Sequence, residues 1–165
     1  MAEGLLRHHL ARRGYDGQFR VASAGTTSNF EGQPPAPFVL QAVRERGEAG
    51  FTHRPHQATA DEVAQADLIV AMAGAHRDWI AERYPEARPR TMLLAEAIGH
   101  SFSIPDPGVH DIDPIRQTAD LIEYCIRAGL DTIAARARRL SGDPSGQGLP
   151  PPLAGRPQGS PQRYR

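Results

Sequence analysis

A chain of 165 residues has room for one domain and can bury a sizeable core without disulfides or bound metal. Its 19 basic residues balance 19 acidic ones, which argues against a nucleic-acid or membrane surface as the main partner. The single cysteine, Cys125, excludes an internal disulfide and a Cys-x-x-Cys zinc pair, and fits a reducing, cytoplasmic setting. No apolar run approaches the roughly 18 residues of a transmembrane helix. Met1-Ala2-Glu3-Gly4 lacks the basic-then-apolar shape of a signal peptide. Every basic residue is arginine, which together with abundant Ala, Gly and Pro reads as the mark of a GC-rich coding sequence.

The first segment reads as a helix with Ala2, Leu5, Leu6 and Leu10 on one face and Gly14 as its stop; it carries no N-cap signal. Residues 19–24 form a strand candidate closed by Gly25. A loop with Pro34, Pro35 and Pro37 leads to a second helical face of Phe38, Val39, Ala42 and Val43, ending at Gly47. Thr59-x-x-Glu62 has capping-box spacing and predicts a short helix over 60–65. The continuous apolar run of residues 67–72 predicts a strand covered on both faces. Residues 74–84 read as helix, with Trp79, Ile80 and Tyr84 for packing, and 90–94 as another strand.

Asp113-Pro114 starts a long helix with Pro at its first position. Ile115, Ala119, Ile122, Ile126, Leu130, Ile133, Ala137 and Leu140 recur at helical spacing along it. Residues 141–165 then hold six Pro and five Gly with almost nothing to bury, which predicts a disordered tail. Strands alternating with helices predict an open parallel α/β sheet flanked by helices, with its ligand site at the carboxyl ends of the strands. His53 and His56 have no third ligand at metal-site spacing, so neither a metal nor another cofactor is expected.

Five segments, in order, resemble the low-molecular-weight protein-tyrosine phosphatase family of bacterial type. They are Met1-Ala2-Glu3-Gly4-Leu5-Leu6, Ser23-Ala24-Gly25-Thr26, the stretch from His53 to Thr59, the strand from Ala66 to Met72, and Ile104-Pro105-Asp106-Pro107. The resemblance spans about residues 1–140. It implies a four-stranded parallel sheet of order 2-1-3-4, and a substrate that is a phosphotyrosine-containing protein or a small aryl phosphate, with no nucleic-acid or membrane partner.

The resemblance also implies a mechanism. A thiolate on a Cys-x5-Arg loop takes the phosphoryl group, the loop amides and Arg hold its oxygens, and an Asp protonates the departing phenolate. Asp106 occupies the slot of that general acid and base, and Ser23 that of a residue supporting the phosphate loop from behind. Three positions depart from the family: Gly108 replaces the aromatic after Asp-Pro, His56 replaces an Arg, and Ala73 stands where Asp is frequent.

No Cys-x5-Arg occurs in the 165 residues; Cys125 is followed six positions on by Asp131 and falls among core positions of the last helix. The expectation is therefore a phosphatase-like domain over 1–140 that is N-terminally truncated, without nucleophile, first central strand or phosphate loop, and inactive as given. Either the true start lies upstream, or the chain is a remnant. As alternatives, such a remnant is a catalytically dead phosphatase-like interaction module, and an arsenate reductase would need further redox cysteines.

Overall fold

The computed structural model describes residues 1–48 and 50–142. The tail expected over 141–165 lies almost wholly outside the described residues.

Helix α1 (Ala2–Arg12) opens the chain and places Leu5 and Leu10 in the core. Helix α2 (Pro37–Arg44) begins on Pro37, whose fixed φ and missing N–H suit a first turn. Helix α3 (Ala60–Gln65) starts where the capping box predicts: the Thr59 side chain accepts from the Glu62 N–H, and the Glu62 carboxylate accepts from the Thr59 N–H. Strand β1 (Ile69–Ala71), helix α4 (Gly74–Arg83) and strand β2 (Thr91–Leu93) then form a β-α-β unit. Its parallel register pairs Ile69 with Thr91, Val70 with Met92 and Ala71 with Leu93. Short 3₁₀ helices at Pro85–Arg90 and Leu94–Ile98, both missed by periodicity, flank β2.

Helix α5 (Ile112–Ser141) closes the fold; it begins two residues before Pro114, because the Asp111 carboxylate caps it by accepting from the Asp113 N–H. Its buried stripe, Ile115, Ala119, Ile122, Cys125, Ile126, Leu130, Ile133 and Ala134, lies against α1, α2 and the 94–98 turn. Ala137 and Leu140 continue the spacing without joining the core; Leu140 is exposed, because the neighbouring elements end before α5 does. Among the described residues no helix is long and apolar enough to cross a membrane.

Residues 19–24 do not form the expected strand. Their side chains do alternate, with Phe19, Val21 and Ser23 turned partly inward and Arg20, Ala22 and Ala24 exposed. A ladder, however, needs a neighbour for each backbone N–H and C=O. Here the Val21 carbonyl accepts from the Arg7 guanidinium, and pairing proper begins only at Gly25, as an isolated parallel bridge to Gln57. Strand β1, in turn, pairs only with β2 among the described residues, so the described sheet has two strands.

Candidate active site

The carboxyl end of β1 runs through Met72 and Ala73 into α4. The 99–111 loop is tied to this end by two bonds: the Ile104 N–H donates to the Met72 carbonyl at 2.7 Å, and the Gly74 N–H donates to Ser103 Oγ at 3.0 Å. The Ile104 side chain is buried, which fixes the backbone just ahead of Asp106. Asp106 itself is exposed. Its Oδ1 accepts from the Gly108 N–H at 3.0 Å, a turn that holds the carboxylate outward, and Gly108 supplies the left-handed φ of +67° that the loop requires. An aromatic side chain at position 108 would meet backbone strain in this loop conformation.

A second polar group lies in the first turn of α1. Glu3 is only 7% exposed, which requires that its carboxylate be satisfied. Oε2 accepts from Ser23 Oγ at 2.5 Å and faces His53 Nδ1 at 3.3 Å, while Oε1 pairs with Arg7 at 2.6 Å. Phe51 stacks on the His53 ring with 9° between planes. Burial lowers the His53 pKa, against the pull of Glu3.

The sequence-derived site residues therefore fall into two groups: Ser23 with Glu3 and His53, Asp106 with Gly108. His53 and His56 also separate, His56 pairing with Glu62 at 2.6 Å. Among the described residues no three His, Cys, Asp or Glu side chains are grouped to hold a metal. Cys125 is fully buried inside α5, and burial raises its pKa, the opposite of what a thiolate nucleophile needs. Sequence reasoning missed Glu3, Arg7 and Ser103. Glu3 had a signal, as a carboxylate flanked by apolar residues in the first turn of an apolar helix; Ser103 had none locally, since its partner is 29 residues away.

A parallel β-α-β unit flanked by helices is an open α/β fold, a class that places its ligands at the carboxyl ends of the strands. The family model for low molecular weight phosphotyrosine protein phosphatase matches residues 1–139, and the chain belongs to that family. A probable low molecular weight protein-tyrosine-phosphatase EpsP of Ralstonia solanacearum is 33% identical over 140 residues, covering 85% of this chain and 88% of the relative. A protein-arginine-phosphatase of Bacillus subtilis (strain 168) is 30% identical over 128 residues, covering 77% and 83%. The solution structure of a low molecular weight protein tyrosine phosphatase from Bacillus subtilis superposes with a TM-score of 0.72 at 28% identity, covering 84% of this chain and 89% of that one. The family's chemistry is thus that of protein phosphatases, with relatives named for tyrosine and for arginine.

Proposed function

We propose that these residues form the helical body and general-acid loop of a phosphatase that hydrolyses phosphotyrosine or other aryl phosphate esters through a phosphocysteine intermediate. The Cys-x5-Arg loop is carried by a segment outside the 165 residues, which are inactive without it. The observation that carries this reading is a strand-sized vacancy in the hydrogen bonding. Residues 19–24 alternate in burial with no ladder, and among the described residues β1 is paired on one side only, by β2. The partly buried Phe19 and Val21 of the one stretch, and Leu68, Val70 and Met72 in and beside β1, pack against the main core. One apolar parallel strand between the two edges would satisfy both, and the loop after it would lead into α1, whose first amides and helix dipole favour a phosphate.

In that arrangement the thiolate attacks phosphorus as the ester P–O bond breaks, and Asp106 gives its proton to the departing phenolate. The resulting Asp106 carboxylate then takes a proton from the water that attacks the phosphocysteine, releasing phosphate and thiolate. The Asp106 carboxylate is exposed and oriented by Gly108, as a group that must reach a protein substrate would be.

A second reading, protein phosphoarginine as substrate, is favoured by Gly108, which puts no ring beside Asp106 to hold a phenyl group; relatives at about 30% identity are named for that activity.

The test begins with the in-frame codons upstream of Met1. An apolar strand followed by Cys-x5-Arg is expected, and the longer chain should hydrolyse phenyl phosphate, with Asp106→Asn lowering kcat by about 10²–10⁴. A stop codon immediately upstream would sink the proposal. Turnover by the 165 residues alone, lost on Asp106→Asn, would overturn the assignment of the nucleophile to a separate segment. Comparing phosphotyrosyl with phosphoarginyl protein as substrate decides between the two readings.

A further inference from the structure

Helix α4 begins without a cap of its own. Its N-cap residue is Ala73, which has no side-chain oxygen, whereas Ser, Thr, Asp or Asn ordinarily fills this place and accepts from a first-turn amide. The missing acceptor comes from elsewhere in the chain: Ser103 Oγ lies 3.0 Å from the amide nitrogen of Gly74, the first residue of α4. The next residue repeats the connection through the backbone, with the Ile104 N–H on the Met72 carbonyl at 2.7 Å. Ile104 then sinks its side chain into the main core, at 6% exposure. Residues 72–74 and 103–104 are thus stitched together by two adjacent bonds, and Asp106 follows two residues later.

What surrounds Asp106 makes this stitch consequential. Among the described residues its carboxylate accepts one hydrogen bond, the local one from the Gly108 N–H, which turns the carboxylate relative to its own loop but does not locate the loop on the protein. The location comes from the segment ahead of it. A general acid has to sit within hydrogen-bond reach of the leaving oxygen, and a misplacement of about 1 Å costs on the order of 10² in rate.

Building on the phosphatase reading, we infer that Ser103 is the positioning residue for the general acid, its hydroxyl locking the Asp106 loop to the start of α4 where Ala73 leaves that helix uncapped. Ser103 does not touch substrate. It acts by supplying one bond that serves two elements: cap for α4, tether for the loop. A side chain at the N-cap position reaches the N–H groups of the second and third helical residues, so the Gly74 N–H, the first of α4, is left to a distant hydroxyl.

The test uses the longer, active chain and two esters. Phenyl phosphate needs its departing phenolate protonated; dinitrophenyl phosphate has a phenolate that leaves unaided. Ser103→Ala should lower kcat on phenyl phosphate by about ten-fold or more while changing dinitrophenyl phosphate turnover by less than about two-fold, and Ser103→Thr, which keeps the hydroxyl, should restore the first. Adding Ala73→Asp to Ser103→Ala gives α4 a local cap. The melting midpoint should recover and phenyl phosphate turnover should not, because the tether is still cut. Equal losses on both esters, or recovery of phenyl phosphate turnover with the local cap, would overturn the inference. If the parent longer chain hydrolyses neither ester, the phosphatase reading itself has failed. The tether is then judged by amide exchange at Gly74 and Ile104 in the 165-residue chain, where no change on Ser103→Ala counts against it.

Discussion

Ser23 Oγ donates to Glu3 Oε2 at 2.5 Å and so ties the extended 19–24 segment to the first turn of α1. The same carboxylate takes Arg7 and His53, so one buried side chain joins three parts of the chain that no strand pairing unites. Removing it would leave the Ser23 hydroxyl and the His53 ring only their long 3.5 Å contact with each other, whereas Arg7 keeps the Val21 carbonyl. Hydrogen bonds to a charged group contribute about 1.5–3 kcal/mol, so Glu3→Ala should lower the unfolding free energy by about 2–3 kcal/mol and Ser23→Ala by about 1 kcal/mol. Urea titration reads both, and the double variant should lose less than the sum, since the two share a bond.

The histidines give stability a pH dependence with a definite sign. Burial holds His53 below the ordinary value of 6.5, against Glu3, and burial likewise lowers His9 against Glu123. A histidine with a depressed folded pKa binds fewer protons folded than unfolded. Its contribution is whole above 6.5 and is lost as pH falls through that value toward the folded pKa. His56 runs the other way: its bond to the Arg54 carbonyl, and then Glu62, raises its pKa, so its contribution is whole below 6.5 and is lost as pH rises through the raised value. Being only partly buried and paired near the surface, His56 carries the smaller share. The urea midpoint should therefore fall between about pH 7 and about pH 5. His53→Asn should flatten that acid limb, and His56→Asn should leave it in place. A midpoint that rises on acidification would contradict the burial of His53.

Cys125 provides a check on where the nucleophile is not. Its side chain is fully buried between Ile122 and Ile126 in the core stripe of α5, and burial raises its pKa. Iodoacetamide should leave the native chain unlabelled and modify it fully in denaturant. Cys125→Ala should cost about 1 kcal/mol of stability by emptying a small core volume, with no effect on aryl phosphate turnover by the longer chain. Rapid native labelling would place the thiol outside the core.

What the sequence made legible was whatever depends on neighbours in the chain. The Thr59–Glu62 capping box located the first residue of α3, and the three-and-four spacing from Ile115 to Ile133 located the buried face of α5. The apolar run 67–72 became β1 in its central residues only, because pairing with β2 ends where the 3₁₀ helix begins at Leu94. Residues 19–24 show the limit: alternation reports which side faces inward, but a strand exists only where another supplies its bonds. The anchoring of the 99–111 loop through Ser103 was not readable, because a hydroxyl 29 residues from its amide leaves no local pattern. Glu3 did carry a local signal, a carboxylate among apolar residues, but its partners Ser23 and His53 arrive from elsewhere in the chain.

Gly129 in the middle of α5 is the last case in which packing overrides local preference. On helix propensity alone, Gly129→Ala would gain about 1 kcal/mol. A Cβ built there, however, falls 2.5 Å from Ala97 Cβ and 3.0 Å from the Ala97 carbonyl carbon and oxygen, in the 3₁₀ turn Leu94–Ile98. Backbone atoms cannot rotate aside as a flexible side-chain end can, so α5 and the turn must separate. Overpacking of this kind costs about 1–3 kcal/mol, enough to cancel the propensity gain and leave a net loss of up to about 2 kcal/mol. The turn leads directly into the 99–111 loop, so the displacement should reach Asp106 as well. Thermal unfolding should show Gly129→Ala at or below the parent midpoint, and amide exchange should quicken at Gly99 and His100, whose N–H groups bond to Glu96 and Ala95. In the longer chain, phenyl phosphate turnover should fall further than dinitrophenyl phosphate turnover. A clear gain in thermal midpoint would mean that the helix and turn can part without cost, and that their close contact is not what fixes the base of the 99–111 loop.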